Sequence, residues 1–420
     1  MFQANQPAQP SFPLAAMLAA NPVVVTGMGA VTAAGGSVPA LWQGVMNAAP
    51  SARWLAALPG FPEPPVAGCA AAAFQLPPAT ARRARKLDRC VQLALAAARE
   101  AWNAAQFAPD FPLPARRGIV VGTSRGPLEK WAESSVRLAQ GRMRPTLAAS
   151  STLASLSGAL SAEFGAGGAC LTVSAACASS AGAIGLAALQ LVTGQADVML
   201  AGGTEAPLNP LVLSQLRAAG VLGSHQTPGL TCRPFDAHRN GTVLGEGAAF
   251  LVLETLASAQ KRGVRPLARL AGWAIGSEAG ERTGIHETGD ALRQVMNEAL
   301  ALAKLSPDQI GYVNTHGTGT RLNDRVEARA VREVLGGVPC SSTKAVTGHC
   351  LGAAAAIEAI ICLKALEAQL LPPSVNCAEP DPGCPVNLIL GPPRAAQFAA
   401  ALSNSCGFWG NNAALLFARI

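Results

Sequence analysis

A thiol, two imidazoles and an ammonium carry the chemistry that this sequence offers. Cys177 lies in Ser174-Ala175-Ala176-Cys177-Ala178-Ser179-Ser180. The apolar run Leu171-Thr172-Val173 precedes that segment, and a small-residue run from Ala181 to Ala188 follows it. The pattern predicts a strand, a corner and then a buried helix, with the thiol close to the helix N-terminus. The positive end of a helix dipole stabilises a thiolate, and the thiolate is the nucleophilic form. A free cysteine also serves as a small apolar filler, so the corner alone does not decide between the two roles. His316 follows an apolar strand in Thr315-His316-Gly317-Thr318-Gly319-Thr320. His349 opens a second small-residue helix, with Lys344 five residues before it. One buried histidine is ordinarily structural. Two at corners, with a corner cysteine and a lysine, suit acyl chemistry: thiolate attack on a thioester, with imidazole N–H groups polarising a carbonyl.

These corners need strands and helices to hold them. Val23–Val31 reads as a buried strand entering a glycine turn at Gly27-Met28-Gly29. A dinucleotide site would require a third glycine and an acid about 20 residues on; residue 32 is Thr and the first acid is Glu63, so a tight strand-to-loop turn is expected instead. Ala81–Arg89 is the densest basic stretch and runs into an amphipathic helix from Cys90 to Trp102. Cations at a helix N-terminus oppose its dipole, which points to an acidic partner for the patch. Further strands are expected over Gly118–Gly122, Ala196–Gly203, Ala248–Glu254 and Ile310–Asn314. The chain turns polar around Lys261–Arg265, and the second half then repeats the style of the first. The expected divisions are a flexible N-terminal extension over 1–21, one half over 22–262 with the cysteine, and another over 263–420 with both histidines.

Composition bounds the possibilities. The 420 residues are 50% hydrophobic and 14% charged, with 43 glycines, enough for a large core of closely packed helices on sheets. The net charge of +7 comes without arginine–aromatic interleaving or a nucleic-acid module, so no nucleic-acid binding is expected. Eleven cysteines, an odd number with no CxxC pair, predict reduced thiols, a cytoplasmic setting and no metal site. The start lacks Lys and Arg and its apolar part is short, unlike a signal peptide. The apolar helix expected over Leu351–Leu371 carries Glu358, Lys364 and Glu367, which argues against a membrane span.

Together, the Cys177 segment, Asn314–Thr320, Ser342-Thr343-Lys344-Ala345-Val346-Thr347-Gly348-His349 and Gly407-Phe408 resemble the β-ketoacyl-acyl carrier protein synthases, from about Val23 to the C-terminus. The resemblance implies a thiolase-like α/β fold, two similar halves in α-β-α-β-α layers. It implies a homodimer or a ketosynthase heterodimer, with acyl- and malonyl-loaded acyl carrier protein as partner. No metal or bound cofactor is implied, since substrates ride on the carrier's phosphopantetheine. By motif, Cys177 would be the acylated nucleophile. His316 and His349 would hold the malonyl thioester carbonyl during loss of CO2, and Lys344 and Glu358 would form the supporting ion pair, with Asp324 and Glu327 joining that network or making plain salt bridges. The N–H groups of Cys177 and Phe408 would form the oxyanion hole. Thr318 and Thr283 match positions that touch the carrier's arm, and Arg82, Arg85 and Lys86 match its docking surface.

Three departures bear on the substrate. Trp409 replaces a glycine and is expected to stiffen or narrow the gate loop beside Phe408. Arg125 stands where the acyl pocket is usually apolar; it would pair across a dimer, or block or polarise the tunnel. The Glu281-Arg282-Thr283 loop lacks the family's histidine. These favour a specialised type II polyketide or polyene pathway over housekeeping fatty-acid elongation. A thiolase would need a second catalytic cysteine, for which Cys406 is the candidate, but the histidine motifs fit synthases better. A non-catalytic chain-length partner would lack the nucleophile.

Overall fold

The computed structural model describes residues 13–55, 65–108, 111–279 and 285–420. Its frame is a sheet of eleven strands: β1 (Val23–Thr32), β2 (Arg117–Gly122), β3 (Cys170–Val173), β4 (Val198–Glu205), β5 (Gly247–Thr255), β6 (Ala268–Ser277), β7 (Ile310–Asn314), β8 (Pro339–Ser341), β9 (Asn387–Leu388), β10 (Ala400–Cys406) and β11 (Asn411–Ala418). The spatial order is β9-β8-β7-β10-β11-β6-β1-β5-β4-β2-β3. Two half-sheets meet at β1 and β6, through the pairs Val24–Arg269 and Val25–Ala268. Outward from that seam each half has the same sequence of pairings. β1 and β6 lie antiparallel to β5 and β11, which lie antiparallel to β4 and β10. These are followed by parallel β2 and β7, then parallel β3 and β8. The repetition of style in the sequence is thus a repetition of topology, and the chain passes between halves over residues 262–267.

Helices fill three layers. α1 (Pro13–Ala20) sets Leu18 into the central core beside Leu14 and Met17. The flexible extension expected over 1–21 therefore does not hold for its second part, because tertiary burial supplies what an eight-residue helix lacks alone; residues 1–12 lie outside those described. α2 (Pro78–Ala84) carries Arg82 and Arg83 in its last turn. The basic stretch expected at a helix N-terminus is therefore mostly a helix C-terminus and turn, where cations suit the dipole. Asp88 instead caps α3 (Arg89–Ala104), accepting from Cys90 N at 3.0 Å. α3 and α4 (Ala154–Phe164) cover the outer face of the first half. α5 (Ser179–Val192) lies between the halves, α6 (Asp290–Ala303) and α7 (Arg321–Leu335) cover the outer face of the second, and α8 (Ala354–Ala368) joins α5 in the centre. The architecture is α-β-α-β-α.

Both sheet faces are buried, which is why the strands read as continuous apolar runs. Along β5, Phe250 and Val252 face the outer helices while Leu251 and Leu253 face the central pair. The glycine turn expected after Val25 is absent: β1 continues to Thr32. Its glycines serve packing, since a Cβ on Gly29 would lie 1.9 Å from Ala97 O and one on Gly27 2.1 Å from Ala101 O, both in α3. Among the described residues no helix is long and apolar enough to cross a membrane.

Candidate active site

The two central helices start where the halves meet, and their approach loops bring the expected groups together. Cys177 lies after β3 and two residues before α5, at a corner that places Ala176 at φ 49°. Leu351, after His349, has φ 41°. Phe235 and Trp409, in two further loops of this region, also have positive φ, 64° and 61°. Such conformations cost non-glycine residues about 1 kcal/mol each and concentrate where function constrains the backbone.

Cys177 Sγ lies 3.2 Å from His349 Nε2. The rings of His316 and His349 meet edge to face with centroids 5.2 Å apart. Behind His316, Lys344 Nζ approaches Nδ1 at 3.4 Å and also forms a close ion pair with Glu358. Donation from Lys344 to Nδ1 leaves the ring proton on Nε2, making it a donor. Burial, Lys344 and then His349 hold the His316 pKa well below 6.5; burial and Lys344 do the same to His349. Both imidazoles are therefore neutral at neutral pH.

The His316 loop is pinned from beneath. Glu327 on α7 accepts from His316 N at 2.7 Å and Gly317 N at 2.8 Å. Asp324, one turn earlier, accepts from Thr318 N at 3.0 Å and Phe235 N at 2.8 Å. Asp324 also lies 3.7 Å from Arg239. Both acids hold the backbone around the His316 ring; neither makes an ion pair with Lys344 among the described residues, though the Lys344 charge draws the Glu327 pKa downward.

The thiol departs from expectation. Burial pushes Cys177 up to about 12, with Lys344 opposing, so the resting group is a thiol and not a dipole-stabilised thiolate. Its proton has an acceptor at hand in His349 Nε2.

A cavity of about 320 Å³ opens over these groups. Cys177, His316, His349, Phe408, Thr318 and Arg125 line it, as does Cys406. Phe408 is set by Gly407, where a Cβ would lie 3.0 Å from Cys177 N. Trp409 does not narrow the cavity: it is 63% exposed and lies outside the lining, to which its neighbour Phe408 belongs. Thr283 lies outside the described residues. Arg82, Arg85 and Lys86 are exposed on the turn ending α2, with no ion pair among the described residues, whereas neighbouring Arg83 pairs with Glu163 at 2.6 Å.

The sulfur and two ring nitrogens lie within 4.8 Å of one another, a spacing that a tetrahedral ion could use. The Lys344 ammonium at His316 opposes a cation and favours the donor form of the ring.

Sequence reasoning missed Glu205. This fully buried carboxylate ends β4 and accepts from Ser124 N at 2.6 Å, Arg125 N at 3.0 Å and Gly352 N at 3.0 Å. It ties a cavity-lining loop of the first half to the turn after His349. The signal was available: an acid closing an apolar strand must find partners inside.

Residues 20–259 match the family described as Beta-ketoacyl synthase, N-terminal domain, and residues 267–378 match its C-terminal domain. A putative polyketide beta-ketoacyl synthase 1 of Streptomyces cyaneus is 34% identical over 94% of this chain and 97% of its own. The 3-oxoacyl-[acyl-carrier-protein] synthase 2 of Coxiella burnetii is 31% identical over 95% and 98%. A solved ketosynthase bound to the hexaketide, in complex with its type II PKS acyl-carrier protein, superposes with a TM-score of 0.87 at 28% identity, covering 95% of this chain and 100% of that one.

Proposed function

The chain belongs to the beta-ketoacyl synthase family, and from that premise we propose that it joins an acyl group held on Cys177 to malonyl-acyl carrier protein by decarboxylative Claisen condensation. The observation that carries the reading is the 3.2 Å contact of Cys177 Sγ with His349 Nε2, with a neutral His316 at its side.

In the first half-reaction Sγ attacks the acyl thioester carbonyl while its proton passes to His349 Nε2, and then to the departing carrier thiol. The N–H groups of Cys177 and Phe408 would hold the oxyanion. In the second, the Nε2–H of His316, and that of His349 once its remaining ring proton has moved from Nδ1 to Nε2, hold the malonyl thioester oxygen. The bond to the carboxylate breaks, CO2 leaves, and the electron pair remains as an enolate. Its carbon attacks the acyl-Cys177 carbonyl and the C–S bond breaks. The released thiolate takes up one proton from solvent, the proton that the decarboxylation consumes overall, as a group with a pKa of about 12 must. Neutral imidazoles donate without placing positive charge beside Lys344. The chemistry calls for no resident cofactor.

The carrier arm would enter past Thr318, with Arg82, Arg85 and Lys86 receiving the acidic carrier protein. A second ketosynthase-type chain has a place to dock at β3, one of the two edges of the sheet, where Leu171 is 44% exposed. Eleven free cysteines suit a cytoplasmic setting. The polar Arg125 in the cavity favours a specialised polyketide or polyene pathway over housekeeping elongation.

Intact-mass measurement after incubation with acyl-carrier proteins tests the core of the reading. An acyl adduct on the wild type that is missing from Cys177→Ala is expected; no adduct from any donor would overturn it and favour a scaffold role.

A further inference from the structure

The acyl cavity is walled in part by Ala176, Leu216, Val221, Leu244, Leu351 and Phe408, and two arginines line it: exposed Arg321 and, on the loop after β2, half-buried Arg125. The placement of Arg125 is built in. Its own N–H and that of Ser124 are held by buried Glu205, and Gly126 N is held by Thr123 Oγ1 at 3.0 Å. These bonds fix the backbone from which the side chain reaches the lining. The guanidinium is close enough to Cys177 to draw its thiol pKa downward.

Several arginines near the core are spent on carboxylates, and Arg125 is not among them. Arg239 pairs with Asp381, Arg262 with Glu254 and Arg89 with Glu246. Among the described residues Arg125 has no carboxylate partner; its hydrogen bond is to Gln215 Oε1, at 3.5 Å. A guanidinium has five N–H donors, and those that face the cavity are satisfied either by water or by what fills it. A chain seated on Cys177 displaces that water. A hydrocarbon chain leaves the donors unmet, which is costly, whereas a chain with an oxygen at that level restores the bonds.

We propose that Arg125 is a specificity-determining residue that binds a hydrogen-bond-accepting oxygen, keto or carboxylate, on the acyl chain held by Cys177. The inference rests on the reading that Cys177 carries an acyl group, and it adds the chemical class of that group. Sites built to hydrogen-bond a substrate reject analogues lacking the acceptor far more strongly than apolar pockets reject a changed methylene. Arg125 is only half-buried, so the expected discrimination is at the lower end of that effect, roughly tenfold or more.

The test compares three pantetheine thioesters of equal chain length: fully saturated, mid-chain keto and terminal carboxylate. Rates of adduct formation on Cys177 are read by intact mass for wild type, Arg125→Leu and Arg125→Lys. The wild type is expected to load at least one oxygenated donor about tenfold faster than the saturated one. Arg125→Leu should level or reverse that ratio, and Arg125→Lys should keep part of it. Which oxygenated donor wins identifies the acceptor. Equal ratios in wild type and Arg125→Leu would overturn the proposal while leaving the acyl-enzyme reading intact. So would a change confined to oligomeric mass by light scattering, which would assign Arg125 to a contact between subunits. Absence of any adduct on the wild type would strike the acyl-enzyme reading itself and this inference with it.

Discussion

His316 and His349 are of one residue type in one cavity, and their partners give them different work. His349 Nε2 faces the thiol at 3.2 Å, so it can take the proton during acylation and, once its remaining ring proton has moved from Nδ1 to Nε2, donate to the malonyl thioester afterwards. His316 is committed by Lys344 to a single tautomer, with its donor fixed and its other nitrogen occupied. It can serve the second half-reaction only. His316→Ala should therefore still load an acyl group on Cys177 within about tenfold of the wild-type rate, while malonyl decarboxylation falls by about 10²–10³, the usual effect of losing one oxyanion donor. His349→Ala should slow both. Single-turnover acylation and CO2 release measured separately make the comparison, and equal losses in the two steps for His316→Ala would contradict the division. The buried thiol bears on the same point: with a pKa pushed up to about 12, Cys177 reacts through proton transfer to its neighbour and not from a standing thiolate.

At the scale of elements, the loops depend on carboxylates that burial makes reluctant to ionise. Burial raises Glu205, Glu327 and Glu358 from 4.5 to about 7, against the hydrogen bonds and the Lys344 charge that lower them. Between those values the folded chain holds more protons than the unfolded chain, so these groups make stability fall as pH rises from about 4.5 to about 7. Glu205→Gln removes one of the three contributions. Thermal unfolding between pH 5 and pH 8 should show a shallower loss for this variant than for the wild type, and an unchanged slope would contradict the assignment. The sequence made the carriers of chemistry legible, because a cysteine, two histidines and a lysine at corners have few other uses. It hid the supports. Glu205 reaches partners from residues 124 to 352, which no local pattern links. Gly27 and Gly29 were misread as a turn because a glycine needed for helix contact looks the same in sequence as one needed for a bend. Trp409 follows the gate phenylalanine in sequence, yet a left-handed backbone carries its ring outward.

For the whole molecule, duplication explains where the site is. The matched halves present equivalent corners to one seam, where the first supplies a cysteine and the second two histidines. Gly29 on β1 and Gly272 on β6 bring α3 and α6 equally close to their strands, with virtual Cβ contacts of 1.9 Å and 2.1 Å to helix carbonyls. The chemistry is shared between halves, and the docking patch proposed for the carrier protein lies on the first. On the α2 turn of the first half, Arg82, Arg85 and Lys86 are exposed and have no ion pair among the described residues, beside a paired Arg83. On a chain of net charge +7, such a patch raises the encounter rate of an acidic protein and loses that effect as salt screens it. Reversing all three to Glu should lower kcat/KM for acyl groups on the carrier protein by roughly tenfold or more at low ionic strength. The same variant should process acyl-pantetheine at the wild-type rate, because the cavity is untouched. The wild type should show a kcat/KM that falls with added salt for the carrier-bound substrate, and the reversed variant should lose that dependence. Equal losses on both substrates would mean that the patch supports the fold or the cavity and not the encounter.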